Sequence, residues 1–371
     1  MKKTLTLLLS AALAFGVLTG CGDSEEAIGS ITIVESEEIT LSTEEPESTS
    51  KETEIVEENH DGMYQSELTN EWIDEALKDQ RPVAIMVDNE LTALDHYGLT
   101  QADIVYELMN STANGEITRF MAIVKDWGSI TRFGSIRSVR PTNFLLAPEY
   151  DAILIHDGGP YYINAYLSNP WIDNLSGGFA RIDNGKSREF TEYVTTGEIE
   201  SRLKANKISA EYTDYYPGAH WQFADKKTPV DLSKDSGSIK CTFIDLPFPH
   251  NGSELEYDTK SGTYLYSEYG KPHIDLENDE EQLAFTNVII QCATVNKLDD
   301  NGYMEFDLLN QSGPAYYITG GHAIPVTWTK GADVNITEYY TSSGEQITLN
   351  TGKTYVALVS TDRWKELVLK K

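Results

Sequence analysis

Runs of consecutive apolar and β-branched residues limit what this chain can fold into more than any other feature. Between Val83 and Val87, and again between Ala152 and Ile155, no position is polar. A strand of that kind must be covered on both faces, which calls for a parallel or mixed sheet between two layers. Ala102–Leu108 and Thr118–Val124 predict two further strands. The first run leaves the sheet at Asp88-Asn89 and the last, ending in His156, at Asp157-Gly158-Gly159-Pro160, both with turn chemistry. Helices are predicted over Glu71–Leu77, Tyr161–Leu167 and Thr196–Ala205. The first folded half is therefore expected to be an α/β (or α+β) domain with a mixed sheet.

From about residue 238 the helical pattern fades and short alternating runs take over. They lie at Ile239–Phe243, Gly262–Tyr266, Thr286–Gln291, Tyr303–Asp307, Ala315–Ile318, Ile324–Trp328 and Thr354–Val359. Asp300-Asn301-Gly302, Gly320-Gly321 and Ser343-Gly344 punctuate them as turns. This cadence predicts a mainly β domain. The polar stretch Thr228–Gly237 marks the boundary, giving an α/β domain over 66–230 and a mainly β domain over 231–371.

The N-terminus sets the address. Lys2 and Lys3 precede an apolar core from Leu5 to Val17, which ends in Leu18-Thr19-Gly20-Cys21. The core has signal-peptide length and is shorter than the roughly 20 apolar residues of a relaxed membrane span. A branched apolar residue, two small residues and Cys form a bacterial lipobox. Residues 1–20 are thus expected to be a signal peptide, and Cys21 the acceptor of diacylglycerol and palmitate. Residues 22–60 hold 13 acidic residues, one lysine (Lys51) and no aromatic. Such a segment cannot bury enough apolar surface to offset its ordering entropy. Residues 21–65 are read as the lipidated Cys and an acidic tether, either a spacer away from the membrane or a plain solvated linker. The expected location is the extracytoplasmic face of a Gram-positive cell membrane. Cys241 and Cys292 lie beyond the anchor and are open to two readings, a disulfide or two buried thiols.

With 59 acidic against 29 basic residues, the formal charge is −30, and loss of Lys2 and Lys3 takes it to −32. A phosphate polymer needs a basic patch, so nucleic acid is excluded as the main partner. No Walker loop, dinucleotide fingerprint or GxSxG elbow is present, and no two of the seven His stand three or four apart. No cofactor or metal is expected, although a site assembled in three dimensions stays open.

One constellation stands out. Arg119 lies on a predicted strand, and Gly134-Ser135-Ile136-Arg137-Ser138-Val139-Arg140-Pro141 sets two guanidinium groups three apart among small residues. Asp88, Asn89, Glu107 and His156 lie near predicted strand ends of the same domain. Open α/β sheets bind ligands where strand ends meet loops, and arginine forks grip carboxylate or phosphate in bidentate fashion. The expected site is an anion-binding cleft of Arg119, Arg137, Ser138 and Arg140, with Asp88, Asn89, Glu107 and His156 as orienting or proton-transfer groups. The opposing reading pairs the arginines internally with Asp103, Glu107, Glu116 or Glu149. Tyr161-Tyr162, Tyr166 and Trp171, then Tyr212, Tyr215, Tyr216 and Trp221, form aromatic clusters suited either to stacking a glycan or to ordinary packing.

The blocks RPVAIMVDN, GLTQADIVYE, GEITRFMAIV, GSIRSVRP, EYDAILIHDGG, FTNVIIQ, GPAYYITGG and WTK resemble the YerB-like bacterial lipoproteins, a two-part family. The resemblance runs over most of the chain after residue 80. It implies the two-part division and the extracytoplasmic address, and it implies no activity. The matching positions are Asp88-Asn89, Asp103, Tyr106-Glu107, Thr118-Arg119, Arg137-Ser138, Arg140-Pro141, Tyr150-Asp151, His156 and Gly158-Gly159. In the second half they are Tyr264, His273, Asp275, Asn287, Gly320, Trp328 and Lys330. One departure is Phe190, where members often carry a His within the segment Arg188–Tyr193. A proton-transfer role at that place does not extend to this chain.

The sequence thus leads to a membrane-anchored lipoprotein that binds an anionic cell-envelope ligand or a partner protein, its partners being a cell-wall glycan, an anionic polymer or an envelope protein. The alternative is an enzyme, a hydrolase or a phosphoryl or glycosyl transferase, acting on a wall or lipid-linked precursor.

Overall fold

The computed structural model describes residues 59–371; the expected signal peptide, Cys21 and most of the expected tether lie outside the described residues. Within the described residues, Met63–Gln65 pairs antiparallel with Trp72–Asp74.

The apolar runs become the strands of one eleven-stranded sheet. In chain order its strands are β1 (Val83–Asp88), β2 (Ile104–Met109), β3 (Thr118–Val124), β4 (Ile153–His156), β5 (Asn174–Ser176), β6 (Ile239–Lys240), β7 (Asn287–Ala293), β8 (Gln311–Thr319), β9 (His322–Lys330), β10 (Glu338–Tyr340) and β11 (Thr354–Ser360). Their lateral order is β6-β9-β8-β7-β11-β2-β3-β1-β4-β5, with β10 added to β9. The sheet is mixed: β1 runs parallel to β4 and antiparallel to β3, and β11 runs parallel to both β2 and β7. Contact between β2 and β11 carries the sheet across the change of composition at Thr228–Gly237, so that stretch connects two halves of one sheet.

Every residue of β1, β2, β3, β4, β7 and β11 is buried, as their largely apolar sequences require, and the burial extends to the polar residues among them. Alternate side chains enter two separate cores. Val83, Ile85, Val87, Val105, Phe120, Ala122 and Ile155 face a layer holding a six-stranded second sheet and the helix Glu198–Asn206. Ala84, Met86, Tyr106, Leu108, Met121 and Leu154 face a layer built from Phe144, Tyr150, Ile163, Trp221, Met304 and Phe306. The second half is mainly β, as its alternation predicted.

Helix was over-read at two places. The segment Glu71–Leu77 forms the short strand Trp72–Asp74 and one 3-10 turn, Glu75–Leu77, which Asp74 caps at its N-terminus through the Ala76 amide and which stays short because it buries no residue. Tyr161–Ala165 is likewise a 3-10 turn with only Ile163 buried. The helix expected over Thr196–Ala205 is present as Glu198–Asn206. Cys241 and Cys292 are free buried thiols, which decides that question against a disulfide. Burial pushes both up to about 12, so they stay protonated and inert. Among the described residues no helix is long and apolar enough to cross a membrane.

Candidate functional site

The strand ends carry the chemistry. Asp88 ends β1, Arg119 sits opposite it near the start of β3, and His156 ends β4. All three have the parity of the Ala84/Met86, Met121 and Leu154 positions, so they share one face of the sheet. The segment Ser135–Val139 then lies as a strap between the ends of β1 and β4. The Asp88 amide donates to Ser135 O at 3.0 Å, the Arg137 amide to Met86 O at 2.9 Å, and the Asp157 amide to Arg137 O at 3.0 Å. Ile136 of the strap points into the opposite core, which turns Arg137 toward the face of Asp88 and Arg119.

Two guanidinium groups, Arg119 and Arg137, therefore meet at one fully buried carboxylate, and Arg140 lies close enough to both to repel them. Arg137 pairs with Asp88 through Nε and with Glu189 at 3.0 Å through Nη1. Arg119 lies 4.0 Å from Asp88 and donates to Ser138 O at 3.1 Å. Arg140 has no carboxylate partner among the described residues. It donates to Asn110 O (3.3 Å) and Val139 O (2.9 Å), and its guanidinium sits 4.6 Å from the Tyr303 ring centre. Burial, with Arg119 and Arg137 adding repulsion, pulls Arg140 down to about 9. Burial likewise lowers Arg119, and Asp88 only opposes it. Arg119 Nε and Ser135 Oγ are buried without a hydrogen-bond partner, and burial lowers His156 below the ordinary imidazole range.

The expected internal pairings do not form. Asp103 accepts from the Lys125 amide, Glu116 binds Arg363, and Glu149 binds His220 and Lys330. The arginines are braced mainly by Asp88 and by backbone carbonyls. The expectation of a wide open cleft is also corrected: the arginines are largely buried, with Arg137 the most accessible of them. Two open grooves of about 490 and 570 Å³ lie elsewhere, lined by Glu71, Asp258 and Lys353 in one and by His60, Trp72 and Lys226 in the other.

Strand parity separates two of the proposed residues from the rest. Glu107 has the parity of Val105 and faces the opposite core, and Asn89 reaches it there at 3.2 Å. Glu107 is sealed by Thr118 Oγ1 (2.7 Å), Asn251 Nδ2 (2.8 Å), Ser253 Oγ (2.8 Å), Tyr266 OH (2.9 Å) and Tyr355 OH (2.5 Å). Asn251 also donates to Glu268 (3.1 Å), which pairs with His273 Nδ1 (2.7 Å), whose Nε2 meets His96 Nδ1 (3.2 Å). Burial raises Glu107, lifts Glu268 to about 7 and holds both imidazoles near 4, so the two His are neutral. Sequence reasoning missed this network. Its one visible signal was a glutamate inside the apolar run Ile104–Leu108.

A mixed sheet covered on both faces and spanning two sequence halves, with a basic cluster at the strand ends of the first, defines a two-part sheet protein. The chain belongs to the DUF3048 family of proteins of unknown function, whose N-terminal domain matches residues 68–209 and whose C-terminal domain matches residues 244–356. YerB of Bacillus subtilis, a lipoprotein by its name, is 27% identical over 303 residues, covering 79% of this chain and 85% of that one. The crystal structure of the Bacillus subtilis YerB protein matches with a TM-score of 0.66 at 23% identity, covering 80% of this chain and 96% of the other, and establishes the shared fold. Asp88, Arg119, the strap and His156 all fall in the N-terminal match, whereas Tyr303 comes from the C-terminal one.

Proposed function

We propose that this protein is an extracytoplasmic lipoprotein, anchored through Cys21, that binds an anionic ligand of the cell envelope at the Arg119–Arg137–Arg140 cluster. The observation that carries the reading is the imbalance of buried charge. Arg119 and Arg137 share one buried carboxylate, and Arg140 is within ion-pair distance of none among the described residues, with Glu90 and Asp299 acting on the cluster only from farther off. Glu189 is the other close partner and stands half in solvent. A buried cation without a counter-ion is destabilised by several kcal/mol on the order-of-magnitude scale of desolvation, so an incoming carboxylate or phosphate gains strong charge-assisted hydrogen bonds here. The two strand-end carboxylates offer less support for an enzyme. Asp88 is engaged by Arg137, and Glu107 is sealed on the far face.

Titration calorimetry with soluble wall fragments tests the reading. Arg140→Ala is expected to weaken binding by at least about tenfold, the lower range for a charge-assisted contact. Glu189→Gln, which removes a competing carboxylate at the mouth, is expected to leave binding intact or strengthen it. Unchanged affinity in both Arg137→Ala and Arg140→Ala removes the cluster as the binding site.

The anchor has its own test. Cys21→Ala is expected to stop incorporation of radiolabelled palmitate and to move the protein from the detergent phase to the aqueous phase. Continued labelling of the variant contradicts it.

A further inference from the structure

Beside the arginines lies an aromatic shelf that the anion reading leaves unused. The amide of Val139, next to Arg140, donates to Gly158 O at 3.1 Å. Two residues on, the chain passes Pro160 into the 3-10 turn Tyr161–Ala165, pinned by buried Ile163. Tyr161 stands 82% exposed, the most exposed of the large apolar side chains among the described residues. Its ring meets Tyr162 edge to face at 6.2 Å, and the Tyr162 hydroxyl donates to Leu298 O at 3.2 Å. Leu298 in turn bonds Tyr303, the residue whose ring lies against Arg140. One path through the strap and one through the 298–303 loop thus fix Tyr161 on the flank of the cluster.

The surroundings favour hydroxyl groups. Asp299, whose carboxylate acts on both Tyr162 and Arg140, supplies acceptor oxygens on this side of the cluster. A ring whose faces are apolar and whose edge carries hydroxyl donors matches a tyrosine face rimmed by acceptors.

Resting on the anion reading above, we propose that the site takes a phosphorylated sugar, its phosphate held by Arg119 and Arg140 and its ring laid on Tyr161. The arginines supply the charge recognition, and Tyr161 selects for a pyranose over a bare phosphate.

Titration calorimetry on the full chain in neutral detergent, with methyl phosphate, glucose-1-phosphate and glucose as probes, tests this. Glucose-1-phosphate is expected to bind roughly three- to tenfold tighter than methyl phosphate, the gain of one stacked ring. Tyr161→Ala, an exposed change that spares the core, is expected to erase that margin and leave methyl phosphate within about twofold of the parent value, with Tyr161→Phe keeping the margin. Arg140→Ala is expected to weaken both phosphates together. Equal affinity for the two phosphates in the parent protein, or a margin that survives Tyr161→Ala, overturns the sugar. Failure of the parent protein to bind either phosphate overturns the anion reading, and the sugar with it.

Discussion

Replacing Lys330 by Met is expected to lower the stability of the folded unit by about 3–5 kcal/mol, the usual result of leaving one member of a buried ion pair without its partner. Glu149 is wholly buried on the Met86/Leu154 side of the sheet. It accepts from His220 Nε2 at 2.7 Å, from the Thr337 amide at 2.7 Å and from Thr337 Oγ1 at 2.9 Å, and it pairs with Lys330 Nζ at 3.0 Å. Burial alone would raise the carboxyl, but Lys330 and His220 outweigh it and hold Glu149 near 2. A depressed folded-state value contributes stability that is present above the ordinary carboxylate range and lost as pH falls through 2. Urea unfolding checks both parts. Lys330→Met should lose most near neutral pH and much less near pH 2–3, where Glu149 becomes protonated without cost in the variant. The double variant Glu149→Gln with Lys330→Met should recover part of the loss, because no lone charge remains. A double variant less stable than the single one contradicts the account.

The opposite sign is expected at Glu268. Burial lifts this carboxyl from the ordinary 4.5 to about 7, with His96 and Asn251 pulling against it. A raised folded-state value means the fold prefers the protonated acid. Its contribution is fully present below about 4.5 and is lost as pH climbs through 7. Glu268→Gln keeps an acceptor for His273 and cannot ionise. Near pH 8 the variant should therefore be more stable than the parent by on the order of 3 kcal/mol, and the difference should shrink to under about 1 kcal/mol near pH 5. His96 and His273 work the other way, since their lowered values contribute stability above 6.5 that is lost toward 4. Both touch or feel Glu268, so the comparison is read at pH 8, where they are neutral in the parent and the Glu268 charge alone is removed. A variant that is less stable at every pH would place the charged form of Glu268 in the fold.

Much of the architecture was legible because burial on both faces removes alternation. Val83–Val87 and Ile153–Ile155 could be read as interior strands with no other information. The joining of β2 to β11 was not legible. They are separated by most of the folded chain, and pairing across such distances leaves no local mark in either strand. The two mis-assigned helices failed for a local reason, since Asp74 capped a single turn and Tyr161–Ala165 buried only Ile163.

The arginines were found from residue type and spacing, and their meeting at Asp88 follows from register, with Arg119 directly across β1. What spacing could not supply was parity. Asp88 and Asn89 are neighbours in sequence, yet one serves the arginines and the other the sealed Glu107 network on the far face. The same parity explains why Glu107, buried in an apolar run, has a structural surrounding of four hydroxyl-bearing partners and two amides. The partner of Arg140 was also beyond the sequence, because Tyr303 reaches it from the other family domain.

The measurement that bears most directly on the central claim is a crystal of the protein soaked in tungstate, a heavy tetrahedral mimic of phosphate located by its anomalous signal. The account predicts a peak within hydrogen-bond reach of the Arg119 and Arg140 guanidinium groups, with Glu189 displaced from Arg137, and no such peak in Arg140→Ala crystals. A peak found only elsewhere, with the three guanidinium groups still on Asp88, Ser138 O and Val139 O, would contradict it.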